Sequence, residues 1–370
     1  MQFPVLPQPV KAVPKKKQKC KFNKTKKNRR MPVSSPVGRL CRWTTDTKPR
    51  KHLFNELPGQ DTRYKKQRKH PTFLTTDIFD VLIDIRLLFA YTAAMRRIVP
   101  LSAGALRVEI AVRNLRRGRL YPHEATYGRV PSVVFQEHAE GHGNFLEESY
   151  RAILAEPEWA ERLGKRYTAD CRVPRQWDRR RCELDCANSS DALLMNVFCY
   201  PEILSHWPLC GLLGVERGVR PVFGYKPRTP YRERLADATE VDMRLGTLLV
   251  EAKLTEGSFQ TAALERVLRY RDFEEVFDLD EVPVREGVRG MTVDSYQLIR
   301  GVLAARHCGG AFAVMCDGRR ADLVEKWFKV IRAVRTSEMR SRLVTWQEIA
   351  GTLPERLRLF LAEKYGIEAS

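Results

Sequence analysis

The sequence lacks the motifs that identify several common classes of enzyme. It contains no glycine-rich phosphate loop, no Ser/His/Asp order typical of a hydrolase triad and no haem-attachment motif. Its nine cysteines form no C-x-x-C pair, and Cys182 and Cys186, four residues apart, do not match a standard zinc spacing. The odd number of cysteines and the lack of a sequence resembling a signal peptide predict reduced thiols and a cytoplasmic location.

Acidic residues are scarce in the first 70 residues, which hold 21 Lys and Arg against three acids. The remaining 300 residues are nearly neutral, so most of the net charge of +20 belongs to this segment. So few apolar residues cannot offset the entropy of ordering the chain, which predicts a disordered basic tail over 1–70. The tail is either an arm that attracts phosphate backbones or a non-native leader before a start at Met31 or Met95. Its Lys/Arg clusters also fit a nuclear-localisation patch.

A long uncharged apolar run is also missing. The most apolar stretch, residues 77–98, is interrupted by three aspartates and an arginine. This leaves fewer than the ~18 uncharged residues that a membrane span requires. We therefore expect a docking helix within a helical extension over 71–135, and no membrane partner. A membrane-tethered interaction protein is the alternative.

Residues 239–255 have the pattern of a β-hairpin. Two runs rich in Val, Leu, Met and Thr are broken at Leu245-Gly246, where glycine tolerates the positive φ of a tight turn. A two-residue turn there predicts the pairs Arg244–Thr247, Asp242–Leu249 and Glu240–Glu251. Alternation along the strands predicts an apolar face of Val241, Met243, Leu248, Val250, Ala252 and Leu254. It predicts a polar face of Glu240, Asp242, Arg244, Thr247, Leu249, Glu251, Lys253 and Thr255.

The polar face predicts a metal site. Asp242 and Glu251 become diagonal neighbours at roughly 7–8 Å, so their carboxylates can converge on one ion. Such oxygen ligands suit Mg²⁺ or Mn²⁺. Lys253 lies two residues from Glu251 on the same face, where it can orient or help deprotonate a water and offset charge on a phosphate.

An acid followed by Glu-x-Lys on the next strand resembles the PD-(D/E)XK nuclease superfamily, the restriction-endonuclease-like fold. The resemblance implies an α/β domain over 136–370 with an αβββαβ core, in which a mixed sheet is flanked by helices. It implies a Mg²⁺-dependent nuclease that hydrolyses phosphodiester bonds, with DNA as the expected substrate. Asp242, Glu251 and the backbone carbonyl of Ala252 would bind the metal, and Lys253 would assist the attacking water.

The resemblance also suggests further site residues. Superfamily members often carry a Gln or Tyr in the helix after the Glu-x-Lys strand, which makes Gln297 a catalytic candidate; a surface glutamine is the alternative. Glu240 is either a metal ligand or a supporting group. A helix before the hairpin often supplies another acid, for which the candidates are Asp191, Glu147, Glu183 and Glu216. Asp191 could instead assist a helix cap at Asn188-Ser189-Ser190.

The rest of the chain predicts the elements around this hairpin. We expect a helix over 146–167 broken at Pro157, a helix from Asp191 and a strand within 219–227. Beyond the hairpin we expect a helix over 259–273, an irregular acidic passage over 274–290 and a helix over 295–307. A strand over 310–318, a helix over 321–335, a strand over 342–346 and a helix pair broken at Pro354 complete the prediction. His138 and His142 are expected to be structural, because the adjacent glycines disfavour helical ligand geometry.

The sequence does not decide between several alternatives. The arginine-rich segment 171–186, with Trp177, is either a phosphate-facing loop or a surface ion-pair network. A non-catalytic nucleic-acid-binding protein with a nuclease-like core is therefore the alternative to an enzyme. The oligomeric state, with a homodimer as one candidate, and endo- against exonuclease action are not determined by the sequence.

Overall fold

The computed structural model describes residues 99–126, 132–138, 141–166, 182–288, 290–335 and 339–370. All of them belong to one compact unit, residues 73–370. The predicted basic tail, the apolar segment 77–98 and residues 171–181 of the arginine-rich segment lie outside the described residues. Within the described residues, no helix has the length and apolar character needed to cross a membrane.

The described residues form eleven α-helices and fourteen short strands. The helices are α1 (Ala103–Arg117), α2 (Glu147–Ala155), α3 (Pro157–Leu163), α4 (Ser190–Phe198), α5 (Trp207–Leu213), α6 (Leu264–Leu268), α7 (Phe273–Val276), α8 (Tyr296–His307), α9 (Ala321–Arg332), α10 (Trp346–Gly351) and α11 (Glu355–Tyr365). The strands are β1 (His123–Ala125), β2 (Val133–Phe135), β3 (Glu137–His138), β4 (Gly141–His142), β5 (Pro221–Tyr225), β6 (Thr229–Pro230), β7 (Ala236–Asp237), β8 (Val241–Leu245), β9 (Leu248–Ala252), β10 (Thr261–Ala263), β11 (Val284–Gly287), β12 (Gly290–Asp294), β13 (Ala311–Cys316) and β14 (Ser341–Thr345).

A five-stranded mixed sheet organises the unit, with the order β14-β13-β9-β8-β5. Strand β8 is antiparallel to both β5 and β9. Strand β13 runs parallel to both β9 and β14. In the chain, α4 precedes the three antiparallel strands β5, β8 and β9 of this sheet, and α8 precedes β13. The predicted mixed sheet flanked by helices is confirmed.

The hairpin β8–β9 is present, but the predicted turn is wrong by one residue. Leu245 pairs with Leu248 and Arg244 with Leu249, so the turn residues are Gly246 and Thr247. Gly246 has a φ of +55°, the left-handed conformation that glycine adopts readily. The predicted pairs Arg244–Thr247, Asp242–Leu249 and Glu240–Glu251 are therefore wrong. The apolar-polar alternation could not detect this error, because the two pairings differ by two positions and keep every side chain on its face.

Each face of the sheet is covered by a hydrophobic core. One core joins Met243, Leu248 and Val250 to residues of α1, α4, α5, α10 and α11. The other joins Leu249, Phe312 and Val314 to residues of α8 and α9. The predicted apolar face is correct except at Val241, which belongs to the second core. Because both faces are covered, the polar side chains of β9 are buried, a property that strict alternation alone did not predict.

Several helices around the sheet lie where the sequence predicts them. The Ser189 hydroxyl accepts from the backbone N–H of Ala192 and caps α4. Pro157 starts α3 two residues after Ala155 ends α2, and Pro354 separates α10 from α11. The predicted strands near 221 and 311 and the helices near 296 and 321 are also confirmed.

Two predicted segments between the hairpin and α8 are wrong. The expected helix over 259–273 begins as strand β10, and only Leu264–Leu268 is helical. The expected irregular passage over 274–290 includes the end of α7 and strand β11. Strands β10, β12 and β11 form a separate antiparallel sheet. These strands are only three to five residues long, too short for periodicity to identify.

Candidate active site

The hairpin brings two acids directly opposite each other. The register of β8 and β9, continued by one pair beyond Met243–Val250, places Asp242 across from Glu251. Asp242 Oδ2 accepts a hydrogen bond from the backbone N–H of Ala252 at 2.7 Å, which orients its carboxylate toward β9. The two acids are thus closer neighbours than the diagonal pair that the sequence predicts. Both lie near the carboxyl end of β9, where parallel strands in α/β sheets commonly bind ligands.

Lys253 follows β9 and forms a buried ion pair. Its Nζ lies 2.7 Å from Glu251 Oε1, and the two residues are only 6% and 2% exposed. The backbone N–H of Lys253 donates to the Met315 carbonyl at 2.7 Å, and its carbonyl accepts from Trp346 Nε1 at 2.9 Å. Burial opposes the charged ammonium, but the nearby carboxylates, Glu251 first, more than offset burial and raise the pKa of Lys253. Lys253 is therefore a fixed cation in this structure.

The surroundings of Asp242 disfavour its charged form. Burial and then the Glu251 carboxylate hold the pKa of Asp242 well above its usual range. Asp191 contributes to the same rise, and Lys253 and the Ala252 N–H only partly oppose it. A carboxylate that is destabilised by another carboxylate is a common property of functional sites.

Arg162 of α3 and Lys165, just after the end of α3, contact the next pair of acids. Arg162 contacts Asp191 through Nη2 and Glu240 through Nη1, both at 3.1 Å, and Lys165 Nζ lies 2.6 Å from Asp191. These carboxylates overcome the effect of burial and raise the pKa values of Arg162 and Lys165. Sequence reasoning missed both cations, which lie three residues apart within the segment that the sequence predicts to be helical.

A glycine makes room for one of these cations. Gly224 on β5 has a φ of +63°, and a Cβ built there would lie 2.2 Å from Arg162 Nη1. A larger residue would therefore displace the guanidinium that links α4 to β8.

Helix α8 carries two buried polar side chains, one of which, Arg300, reaches the hairpin. Gln297 and Arg300 are 8% and 5% exposed and lie three residues apart, on one face of the helix. Arg300 Nη2 donates to the Glu240 carbonyl at 3.1 Å and lies 3.8 Å from Glu251 Oε2. Within the described residues, neither Gln297 Oε1 nor Arg300 Nε has a hydrogen-bond partner. Gln297 is thus buried rather than on the surface, and Arg300 is a residue that sequence reasoning missed.

The other predicted acids differ in their distance from this site. Glu183 lies 3.2 Å from Lys165, and burial followed by Asp191 raises its pKa. Glu147 forms surface ion pairs with Arg151 and Arg356, and Glu216 is exposed. Asp191 lies in the first turn of α4, where it also favours the helix dipole, but its ion pairs place it beside the site.

The two histidines lie in the small β3–β4 sheet. His142 Nε2 lies 3.2 Å from Asp185 Oδ1, and its Nδ1 accepts from the Asn144 N–H at 3.1 Å. These contacts orient the buried ring and fit the structural role expected of it.

The donor set at the hairpin suits a hard cation. Asp242 and Glu251 present carboxylate oxygens, and their mutual repulsion would be relieved by a positive ion. In the part of the chain that the structure describes, no three His, Cys, Asp or Glu side chains form a ready-made metal cage. Two carboxylates and the predicted Ala252 carbonyl would therefore have to be completed by water or substrate, as is common for Mg²⁺.

A model of a known protein family matches much of the chain. The model of a family described as "Restriction Endonuclease associating with ARP" matches residues 116–366, more than half of the chain. This range contains the hairpin, α3, α4 and α8. No curated protein and no solved structure matches the chain.

Proposed function

The chain belongs to the family of restriction endonucleases associating with ARP, and we propose that it is a Mg²⁺-dependent nuclease of the PD-(D/E)XK type. The family implies a nuclease and a nucleic-acid substrate. The finer assignment, with DNA as the substrate and the hairpin β8–β9 as the catalytic centre, rests on the site described above.

One observation supports this assignment more than any other. The hairpin register, extended by one pair, places Asp242 across from Glu251, and burial followed by the Glu251 carboxylate raises the pKa of Asp242. A fold selected for stability alone gains nothing from placing Asp242 opposite a second carboxylate, because a charge withdrawn from water beside a like charge is costly. A site that binds a divalent cation gains a preformed ligand pair.

The metal would be held by Asp242, Glu251 and the Ala252 carbonyl, with Asp191 or Glu240 as a further ligand. A bound Mg²⁺ or Mn²⁺ supplies charge stabilisation at the phosphate and a water of lowered pKa. Asp191 and Glu240 share the Arg162 guanidinium, so either acid would have to leave an ion pair to reach the metal.

Lys253 would act as a fixed cation next to the phosphate. Its raised pKa keeps the ammonium protonated, which favours orienting the water and stabilising negative charge over removing a proton. Gln297, with its free Oε1 buried on α8, would accept a hydrogen bond from the attacking water or a substrate group.

A plasmid cleavage assay tests the proposal. Purified protein is incubated with supercoiled DNA in Mg²⁺, in Mn²⁺ and in EDTA, beside Glu251→Gln and Lys253→Ala. We expect metal-dependent nicking or cutting that falls by about 10²–10³-fold in each variant. Circular dichroism is needed in parallel, because removing one partner of a buried ion pair costs about 3–5 kcal/mol.

The exposed pair on α9 provides matched controls. Glu325 and Lys329 form an ion pair of the same kind on the surface, where it contributes little to stability. Glu325→Gln and Lys329→Ala should cleave like the wild type. Metal-dependent cleavage retained in both folded site variants would refute the assignment, whereas salt-sensitive binding without cleavage in the wild type would favour the non-catalytic alternative.

A further inference from the structure

Arg300 is a buried cation with unused hydrogen-bonding capacity. A guanidinium offers five N–H donors. Arg300 places Nη2 on the Glu240 carbonyl at 3.1 Å, and its Nε is buried without a partner among the described residues. Leaving a buried donor of a charged group without a partner is costly. Among the described residues, the structure therefore keeps an unsatisfied cationic group beside Glu251.

Packing holds this group against the sheet. Gly301, the next residue of α8, faces Phe312 of β13 so closely that a Cβ would lie 2.2 Å from the ring. The helix thus approaches β13 more closely than a larger residue would allow. Because β13 is the neighbour of β9, this approach brings Arg300 to the buried carboxylate of Glu251.

Glu251 is contacted by a cation at each carboxylate oxygen. Lys253 Nζ lies 2.7 Å from Oε1, whereas Arg300 Nη2 lies 3.8 Å from Oε2, beyond hydrogen-bond distance. The side of Glu251 that faces Arg300 is therefore the more loosely held. A divalent ion that binds Glu251 would compete first with Arg300.

We propose that Arg300 is a phosphate-binding residue that occupies the metal's place beside Glu251 when the site is empty of metal and substrate. When Glu251 binds the metal, the Arg300 guanidinium turns its free donors to a non-bridging oxygen of the nucleic-acid phosphodiester. A planar guanidinium suits this contact, because it can form two parallel hydrogen bonds to a phosphate. The inference rests on the proposed nuclease function and adds a substrate contact to it.

Metal binding without nucleic acid provides the first test. Calorimetric titration with Mn²⁺ compares the wild type with Arg300→Met, which keeps much of the side-chain volume but removes the competing charge. We expect Arg300→Met to bind Mn²⁺ about five- to tenfold more tightly, a gain of about 1–1.4 kcal/mol. A purely structural role for Arg300 predicts unchanged or weaker binding, because loss of structure does not tighten a metal site.

Single-turnover cleavage at saturating metal provides the second test. We expect Arg300→Met to lower the cleavage rate by about 10²-fold, because a contact to the transition state is lost. Tighter metal binding together with slower cleavage is the signature of the proposal. Arg306→Met, on the same helix in an exposed ion pair with Glu275, serves as the control and should change neither quantity.

Arg300→Lys provides a second variant for the case in which Arg300→Met does not fold. The lysine retains a competing charge but loses the planar pair of donors. We expect Mn²⁺ affinity within about threefold of the wild type and a cleavage rate at least about tenfold lower. Wild-type rates in Arg300→Lys would overturn the inference while the nuclease assignment stands. A wild-type protein that does not cleave with any metal would instead overturn the proposed function itself.

Discussion

Two acids five residues apart, Asp237 and Asp242, have opposite environments. Asp237 on β7 accepts hydrogen bonds from the Thr239 N–H at 2.9 Å, from the Thr239 and Tyr270 hydroxyls, and from the Tyr296 hydroxyl at 3.2 Å. Burial disfavours its charge, but these bonds prevail and lower the pKa of Asp237. Asp242 accepts one bond, from the Ala252 N–H, and faces Glu251, so its pKa is raised.

The comparison separates a structural acid from a candidate catalytic acid. Buried polar groups in stable proteins are satisfied by hydrogen bonds, as Asp237 is. Asp242 is held by the fold in a position where its charge is destabilised, which is the property expected of a group that awaits a ligand. The network around Asp237 therefore stabilises the fold, whereas the rest of the fold must hold Asp242 in its unfavourable position.

Removing the charge of Asp242 should have the largest effect on activity. Asp242→Asn is expected to lower metal-dependent cleavage by about 10³-fold. The same change should stabilise the metal-free protein at neutral pH, since each unit of raised pKa corresponds to about 1.4 kcal/mol. Urea denaturation with and without Mg²⁺ checks this, because added Mg²⁺ should stabilise only the wild type. A destabilised Asp242→Asn would assign Asp242 to the structural class.

The matching change at Asp237 should have the reverse outcome. Asp237→Asn removes a charge that several donors satisfy, and hydrogen bonds to charged groups are worth about 1.5–3 kcal/mol. We expect a loss of about 2–4 kcal/mol in the free energy of unfolding, measured with urea. Cleavage per folded molecule should stay close to the wild type; a loss as large as that of Asp242→Asn would remove the distinction.

The pH dependence of stability should also differ in sign between the two acids. The raised pKa of Asp242 contributes stability below the ordinary value of 3.8, and this contribution is lost as the pH rises through the raised pKa. The lowered pKa of Asp237 contributes stability above 3.8, which is lost as the pH falls through the lowered pKa. The stability gained in Asp242→Asn should therefore grow with pH. The stability lost in Asp237→Asn should shrink below about pH 4. Parallel pH profiles for the two variants would contradict the opposite shifts.

The smallest effect should come from one donor of the structural network. The Tyr270 hydroxyl contacts Asp237 and lies 2.7 Å from the Tyr296 hydroxyl. Tyr270→Phe should cost about 1–2 kcal/mol and leave cleavage unchanged. Thermal unfolding measured beside a cleavage assay checks both statements.

Much of the hairpin could be predicted from the sequence, but its surroundings could not. Alternation placed Asp242, Glu251 and Lys253 on one face; in the structure Lys253 contacts Glu251, and the charges of both affect the pKa of Asp242. The predicted turn was off by one residue. The resulting register shift of two positions keeps every side chain on its face, so the apolar-polar pattern cannot reveal it. That shift converts a diagonal pair of acids into an opposed pair.

Tertiary contacts explain what the sequence could not predict. Arg300 is 49 residues beyond Glu251, and Arg162 is 29 residues before Asp191, so no local spacing links them. Burial of Glu251 depends on α8 covering the sheet, which strand periodicity does not report. The short strands β10 and β11 gain their conformation from pairing with β12 rather than from their own propensity.

Mn²⁺ binding measured by electron paramagnetic resonance tests the central claim most directly, because it needs neither substrate nor turnover. The account predicts that the wild type and Asp237→Asn bind Mn²⁺ with affinities within about threefold of each other. It predicts that Asp242→Asn binds at least about tenfold more weakly, which corresponds to 1.4 kcal/mol or more. Equal Mn²⁺ binding by the wild type and a folded Asp242→Asn would contradict the claim that the opposed acids of the hairpin form a metal site.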